Sequence, residues 1–466
     1  MNKDQIVEVF IEDMSEDGAG IGKADGYPLF VKDAVVGDQV RAKVIKDKKR
    51  YAYAKLLEVL EPSPDRVKPL CPVAGPCGGC QLQALSYDAQ LAFKRRKVQE
   101  HLRRIGGFGI AEEEGGEGIF VRPVMGMEMP WCYRNKEQFP VGRNKEGRIV
   151  TGFYAGRTHS IIDTSDCMLS VPVCESVLAR FKAWMEQYGI EPYDEETGTG
   201  LVRHVLIRSS RHFGSSMVCP VINGEELPHA KELVEALTAD PQVVSVCYNV
   251  NTSRGNVILG EKVVPLHGQP CIIDKIQDRL FKISPLSFYQ VNPTQTERLY
   301  AAVREFCGLT GEEVLWDLYC GIGTISLYLS GGVKQAYGVE IVPAAIEDAK
   351  MNAQINGCKN VEYYCGKAEE VLPAWVEKEA AEGRTAAADI MIVDPPRKGC
   401  DKTLLDTMLQ MTPQRIIYVS CDSATLARDL KILCEGGYRV EAVQPVDMFP
   451  QTVHVETVVL MSRIQG

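Results

Sequence analysis

Five short apolar runs in the last third of the chain limit its fold more than any other feature: Val314–Leu318, Ala336–Glu340, Ile390–Asp394, Arg415–Ser420 and Thr457–Met461. Helical segments lie between most of them, among them Pro343–Asn356, opened by a proline and closed by Gly357. Strands alternating with helices predict an α/β domain built on a doubly wound parallel sheet. Ligands bind such sheets at the carboxyl ends of the strands. The residues that end these runs are therefore the first place to look for chemistry.

The first run leads into Asp317-Leu-Tyr319-Cys-Gly321-Ile-Gly323-Thr324, where glycines let the backbone approach a ligand. The second ends in Glu340, about 20 residues further on, where an acid can accept hydrogen bonds from ribose hydroxyls. A dinucleotide dehydrogenase is the obvious rival, but the third glycine of its motif is Ser326 here. The turn resembles instead the S-adenosylmethionine site of methyltransferases, with Tyr319 flanking the cofactor. The third run ends in Asp394-Pro395-Pro396-Arg397, a rigid platform poor in backbone donors. The fourth ends in Ser420-Cys421-Asp422, before a helix over Thr425–Leu430. A cysteine near a helix N-terminus is expected to have a lowered pKa, as a nucleophile needs. Close to the C-terminus, His454-Val455-Glu456 offers a base.

Upstream, residues 1–60 show period-two alternation between glycine turns, which predicts a small closed β-barrel followed by the linker Glu61-Pro-Ser-Pro-Asp65. Cys71, Cys77 and Cys80 follow with spacing C-x5-C-x2-C, and Cys167 is a candidate fourth ligand for zinc or an iron–sulfur cluster. The spacing is not the C-x3-C-x2-C of radical enzymes. A basic helix starts near Ser86 and stops at Gly106-Gly107. Residues 61–284 are expected to form a mixed α+β central domain, and 285–466 the sheet domain.

The chain carries a net charge of −10, which argues weakly against nucleic acid, but the local distribution matters more. Arg41 to Lys55 holds seven bases against one acid, and Lys94, Arg95, Arg96, Lys97, Arg103 and Arg104 form a second cluster. No apolar run approaches the roughly 20 residues that span a bilayer, and no signal peptide is visible, so a cytoplasmic, membrane-free protein is expected.

Ser287-Phe288-Tyr289-Gln290-Val291-Asn292-Pro293, the D-x-Y-C-G-x-G turn, DPPRKG, SCDSATLARDL and FPQTVHVETVVLM occur in this order. Together they resemble the RNA (uracil-5-)-methyltransferase family, which includes tRNA and 23S ribosomal enzymes. The resemblance implies a Rossmann-like class I methyltransferase domain over 285–466. It implies Gln290, Tyr319, Gly321, Gly323, Glu340 and Asp394 at the S-adenosylmethionine site, with Cys421 as nucleophile, Glu456 as base and Phe288 beside a flipped base. Carbon 5 of uracil is too weak a nucleophile to be methylated directly, and a thiolate adding to carbon 6 makes it one.

The N-terminal barrel resembles a TRAM domain, an OB-like RNA-binding module. The ribosomal branch of the family carries a 4Fe–4S cluster on similarly spaced cysteines, and its tRNA branch is expected to lack both barrel and cluster. These features point to a monomeric enzyme acting on 23S ribosomal RNA. Its RNA backbone would be held by the barrel, by the Lys94–Arg104 helix and around Arg134, Lys136, Arg143 and Arg157. The alternatives are a tRNA uracil-5 methyltransferase and, from another class, a non-catalytic iron–sulfur RNA-binding protein. Intact Cys421 and Glu456 speak against the latter.

Overall fold

The computed structural model describes residues 1–156, 158–383 and 388–464. Strands β1 (Ile6–Met14), β2 (Gly20–Ala24), β3 (Tyr27–Lys32), β4 (Gln39–Asp47) and β5 (Ala52–Glu61) close into a barrel in the order β1-β2-β3-β5-β4. Alternate side chains such as Val9, Ile11, Leu29, Val31, Val40, Ala42 and Val44 fill its interior. Helix α1 (Tyr87–His101) follows and ends in one π-helical turn (Leu102–Gly106), closed by Gly107 at φ 75°. Ser86 stands at the N-cap position as expected, but its side chain makes no capping bond. The acidic loop after it is pinned by two short parallel strands, β6 (Ile110–Ala111) and β7 (Ile119–Phe120).

The central region is a mixed seven-stranded sheet of order β10-β9-β8-β11-β12-β13-β14. Its strands are β8 (Lys136–Arg143), β9 (Ile149–Tyr154), β10 (Ile161–Asp163), β11 (Val202–Ser209), β12 (Ser216–Ile222), β13 (Val243–Val250) and β14 (Lys262–His267). Helices α2 (Val173–Tyr188) and α3 (Ala230–Thr238) bury their apolar faces on one side of it. On the other side Leu206, Met217, Cys219 and Cys247 join the core of the C-terminal domain. Every residue of β11 and β12 is therefore buried.

A hairpin, β15 (Ile272–Ile276) and β16 (Arg279–Ile283), leads to α4 (Pro293–Cys307). The expected α/β sheet then runs β19-β18-β17-β20-β21-β23-β22. Its parallel strands are β17 (Val314–Asp317), β18 (Gln335–Glu340), β19 (Val361–Cys365), β20 (Ile390–Val393) and β21 (Arg415–Ser420). Between them run α5 (Thr324–Leu329), α6 (Pro343–Ile355), α7 (Ala368–Ala381) and α8 (Lys402–Met411), and α9 (Ser423–Glu435) follows β21. The last strands, β22 (Tyr438–Val446) and β23 (Glu456–Arg463), pair antiparallel, and β23 inserts beside β21. Among the described residues no helix is long and apolar enough to cross a membrane.

The structure corrects one sequence expectation here. The basic helix α1 is not a free cationic face but a strut between the barrel and the loop joining β22 to β23. Lys94 is fully buried and ion-paired with the equally buried Asp447. It also donates to the Phe449 carbonyl at 3.0 Å, while Tyr87 Oη donates to Asp447 at 2.8 Å. Gln90 exchanges two hydrogen bonds with Gln451, at 3.0 and 3.1 Å. Arg95 donates to the Val121 carbonyl, Arg96 pairs with Asp13 of the barrel, and Lys97 donates to the Val453 carbonyl. Arg103 and Arg104 both pair with Glu100. Elsewhere Arg41 is bridged by Glu8 and Glu58, and Arg143 is paired with Glu191. Arg134 and Lys136 are half-buried, and Arg157 lies outside the described residues.

Removing one partner of a buried ion pair leaves an uncompensated charge. Lys94→Ala should therefore lower the unfolding free energy by about 3–5 kcal/mol. Arg96→Ala, which breaks an exposed pair, should cost less than about 1 kcal/mol. Urea denaturation of the two variants separates them.

Candidate active site

The expected site residues converge because the strands that carry them end on one edge of one sheet. Phe288, Gln290, Tyr319, Gly321, Glu340, Asp394, Cys421 and Glu456 all line a cleft of about 730 Å³ at the carboxyl ends of β17, β18, β20 and β21. That volume falls in the range of small-molecule sites, roughly 300–1,000 Å³. Glu456 begins β23, yet it reaches the same edge because β23 runs the other way. Ser420 pairs with Thr457 across the β21–β23 ladder. Cys421, one residue beyond Ser420, and Glu456, one residue before Thr457, therefore face each other at the mouth of the sheet.

At the glycine turn, Glu340 accepts hydrogen bonds from the backbone N–H groups of Gly321 (3.2 Å) and Val342 (3.0 Å). Gly321 has φ 53°, and a side chain there would project into open space. Gly323 has a different duty. Its φ is 80°, and a Cβ atom would lie 2.3 Å from the Tyr363 hydroxyl, so this glycine packs the turn against β19. Ser326, which breaks the dehydrogenase motif, donates its backbone N–H to Asp317 at 3.1 Å. Burial and the nearby Asp394 push the Asp317 carboxyl up to about 7, against the pull of Ser326. Its other oxygen is buried without a partner.

At the other end of the cleft the electrostatics overturn the expectation for Cys421. Helix α9 starts at Ser423, earlier than the sequence suggested. Asp422 caps it, accepting from Ala424 N (2.9 Å) and Thr425 N (3.1 Å). The net shift of the thiol is nevertheless upward. Burial, with the Glu456 and Asp394 carboxylates nearby and only Arg397 opposing them, pushes the thiol up to about 11. Glu456 is itself held above the ordinary carboxyl range by burial and by Asp394. Asp394 is raised by burial. The arrangement is one protonated thiol beside two carboxyls that resist ionising together.

Tyr300 went unnoticed in the sequence. It is buried on α4, lines the cleft and shares a hydrogen bond of 2.8 Å with Thr324. No motif announces it, because a buried tyrosine in an amphipathic helix reads as core. Lys367 and Glu369, from the Gly366-Lys-Ala-Glu segment after β19, also line the cleft. His454 does not. It lines a neighbouring groove between the barrel and the cysteine loop, and burial with Arg397 and Lys97 nearby lowers it to about 4.

Cys71, Cys77, Cys80 and Cys167 line a second, separate and small cavity, of about 20 Å³, together with Val73, Phe153, Leu169 and Arg134. Among the described residues no three His, Cys, Asp or Glu side chains close around a single metal ion. The four thiols surround a shared space instead. Next to this cavity, the backbone N–H groups of Gln81 and Leu82 both donate to the Gln451 carbonyl at 3.0 Å, which ties the cysteine loop to the chain leading to Glu456.

Comparison with known proteins agrees with this geometry. Residues 271–464 match the family described as tRNA (uracil-5-)-methyltransferase, and residues 3–57 match the TRAM domain. An uncharacterized RNA methyltransferase of Halalkalibacterium halodurans is 50% identical over 99% of this chain and 98% of its own length. The chain belongs to the uracil-5 RNA methyltransferase family. Another uncharacterized RNA methyltransferase, from Clostridium acetobutylicum, is 46% identical over 100% of this chain and 98% of its own length. Among solved structures, the tRNA (uracil-54, C5)-methyltransferase of Pyrococcus abyssi, in complex with S-adenosyl-L-homocysteine, superposes with a TM-score of 0.77. It is 28% identical and covers 97% of this chain and 99% of its own.

Glu340 holds the glycine turn through two backbone N–H groups. Glu340→Ala should weaken S-adenosylmethionine binding by about 10- to 100-fold, the scale of a lost hydrogen bond to a charged group. Isothermal titration checks this, and unchanged affinity would remove Glu340 from the cofactor site.

Proposed function

We propose that this protein methylates carbon 5 of a uridine in 23S ribosomal RNA, with S-adenosylmethionine as donor and Cys421 as covalent nucleophile. The observation that carries the reading is the meeting of Cys421, Glu456 and Asp394 in the same cleft as the glycine turn and Glu340. S-adenosylmethionine, when bound by Gln290, Tyr319, Gly321, Glu340 and Asp394, supplies an electrophilic methyl group. Cys421 Sγ, on losing its proton, adds to carbon 6 of the uracil, and carbon 5 then has the electron density to take the methyl. Glu456 removes the proton from carbon 5, the Cys421–carbon 6 bond breaks, and the thiolate leaves. Exposed Phe288, at the rim, offers a face for the flipped base. The raised pKa values suit a site that stays neutral until a base displaces water. The reaction belongs to the cytoplasm, where its RNA is.

The four cysteines are assigned to a 4Fe–4S cluster, whose role is structural because uracil methylation consumes no electrons. The observation that supports it is that all four thiols line one cavity.

Transfer RNA is the second reading, and the Pyrococcus abyssi enzyme favours it. The 3% of this chain that the match leaves uncovered is far smaller than the barrel, so a barrel does not set ribosomal enzymes apart from tRNA enzymes, contrary to the expectation above. The cysteine motif is what keeps ribosomal RNA first. Methylation of ribosomal and transfer RNA from a strain lacking the gene decides between them.

Cys421→Ala should abolish methyl transfer while RNA still binds; retained turnover would rule out the nucleophile. Glu456→Gln should trap a heat-stable, methylated RNA–protein adduct on a denaturing gel. The thiol and both carboxyls are shifted upward, so the form with thiolate and free base gains population as pH rises. The single-turnover rate should therefore climb between about pH 6 and 9, and a flat profile would contradict this electrostatic picture. Anaerobically purified protein should contain iron and acid-labile sulfide and lose both in Cys80→Ser. Stoichiometric zinc instead would overturn the cluster.

A further inference from the structure

Behind the chain segment that forms one wall of the cleft lies a second opening of about 340 Å³, bordered by Met129, Trp131, Asn135, Arg211, Thr294 and Arg298. The two spaces share that wall. Gln290 lines the cleft, and its carbonyl accepts from Asn135 Nδ2 at 3.0 Å on the other side. Four residues later Thr294 lines the second opening.

Its chemistry is that of a nucleotide site. Arg41, Lys43, Lys94, Arg96, Arg103, Arg104 and Arg143, among the basic residues that the sequence suggested for RNA, are held in intramolecular ion pairs. Arg211 and Arg298, by contrast, form no ion pair among the described residues. Arg298 is steadied by donating to the Gly126 carbonyl, and the backbone N–H of Arg211 is fixed on Asp274 at 3.1 Å. Trp131 presents an indole that is only half-buried, and Met129 beside it is 68% exposed. The N-terminal turn of α4, at Thr294, adds the positive end of a helix dipole. Asn135, 5% exposed, borders the space, and its Oδ1 has no hydrogen-bond partner. The amide cannot simply be flipped, because Nδ2 is needed by the Gln290 carbonyl. Glu128, at the rim, is the one acid lining the space and leaves the balance positive.

We infer that this opening holds an unpaired nucleotide that neighbours the target uridine in the same RNA, its base stacked on Trp131 and its phosphate between Arg211 and Arg298. The unmet acceptor of Asn135 favours a base edge that presents an N–H donor to it. Two bases held on either side of one wall fix the strand across the cleft mouth, which gives the enzyme a reading of sequence next to the methylated position. The inference rests on the RNA-methylation reading above.

The protein contains its own probe. Of four tryptophans, Trp184, Trp316 and Trp375 are buried, at 3%, 0% and 8% exposure, so added RNA can quench directly only Trp131. The experiment uses the full-length protein and 23S ribosomal RNA or transfer RNA from a gene-deletion strain, whichever is methylated. Titration should quench tryptophan emission saturably, and Trp131→Phe should lose the quenching while still methylating. Trp131→Leu and Arg211→Gln should each raise KM for RNA about tenfold, with kcat and S-adenosylmethionine affinity unchanged. RNA that is bound and methylated with no change in Trp131 emission, and with wild-type KM in both variants, overturns the nucleotide site and leaves the methylation reading standing. RNA that is neither bound nor methylated overturns both.

Discussion

The antiparallel pairing of β23 with β21 is the constraint on which the reactive site depends. In an all-parallel sheet, only residues that follow a strand reach the carboxyl edge. A reversed strand brings the residue that precedes it to that same edge. The Ser420–Thr457 register sets Cys421 and Glu456 against each other without any loop having to be ordered for the purpose. A shift of one residue would turn every side chain of β23 to the opposite face and take Glu456 out of the cleft. Burial of Val458, Val459 and Met461 on both faces of β23 guards that register.

The same closeness sets the electrostatics. A thiol and two carboxyls in one half-dry cleft resist carrying charge together: both carboxyls raise the proton affinity of the thiol, and Asp394 raises that of Glu456. Such a site favours the protonated form of its sulfur. Arg397, on the Pro-Pro platform, is the one cation that opposes the trend at both Cys421 and Glu456. Its place after a rigid dipeptide keeps it there.

Much of the C-terminal domain was legible in the sequence because strands covered on both sides read as uninterrupted apolar runs. Their ends named the cleft residues from Tyr319 to Glu456. The central sheet was not legible, although β11 and β12 are just as buried. They carry the buried His204 together with Arg203 and Arg208, whose terminal NH groups donate to loop carbonyls of Asn251, Ser253, Pro285 and Ser287. Charge misled for a related reason. Lys94 looks solvated in a run of bases, and its partner Asp447 lies 353 residues away. For Cys421 the favourable neighbour, a helix start, was local in sequence. The unfavourable ones, Asp394 and Glu456, come from other strands.

The strut formed by α1 also has a consequence for how the chain is made. Its anchor points, from Asp447 to Val453, are synthesised long after the helix itself. Elongation at about 5–20 residues per second leaves a gap of roughly 20–70 seconds between Lys94 and Asp447. Throughout that interval the helix can pack Phe93 against Met14, Val35 and Leu82, but Lys94 lacks its buried partner. The N-terminal segment therefore reaches its final stability only after the chain between β22 and β23 has been made.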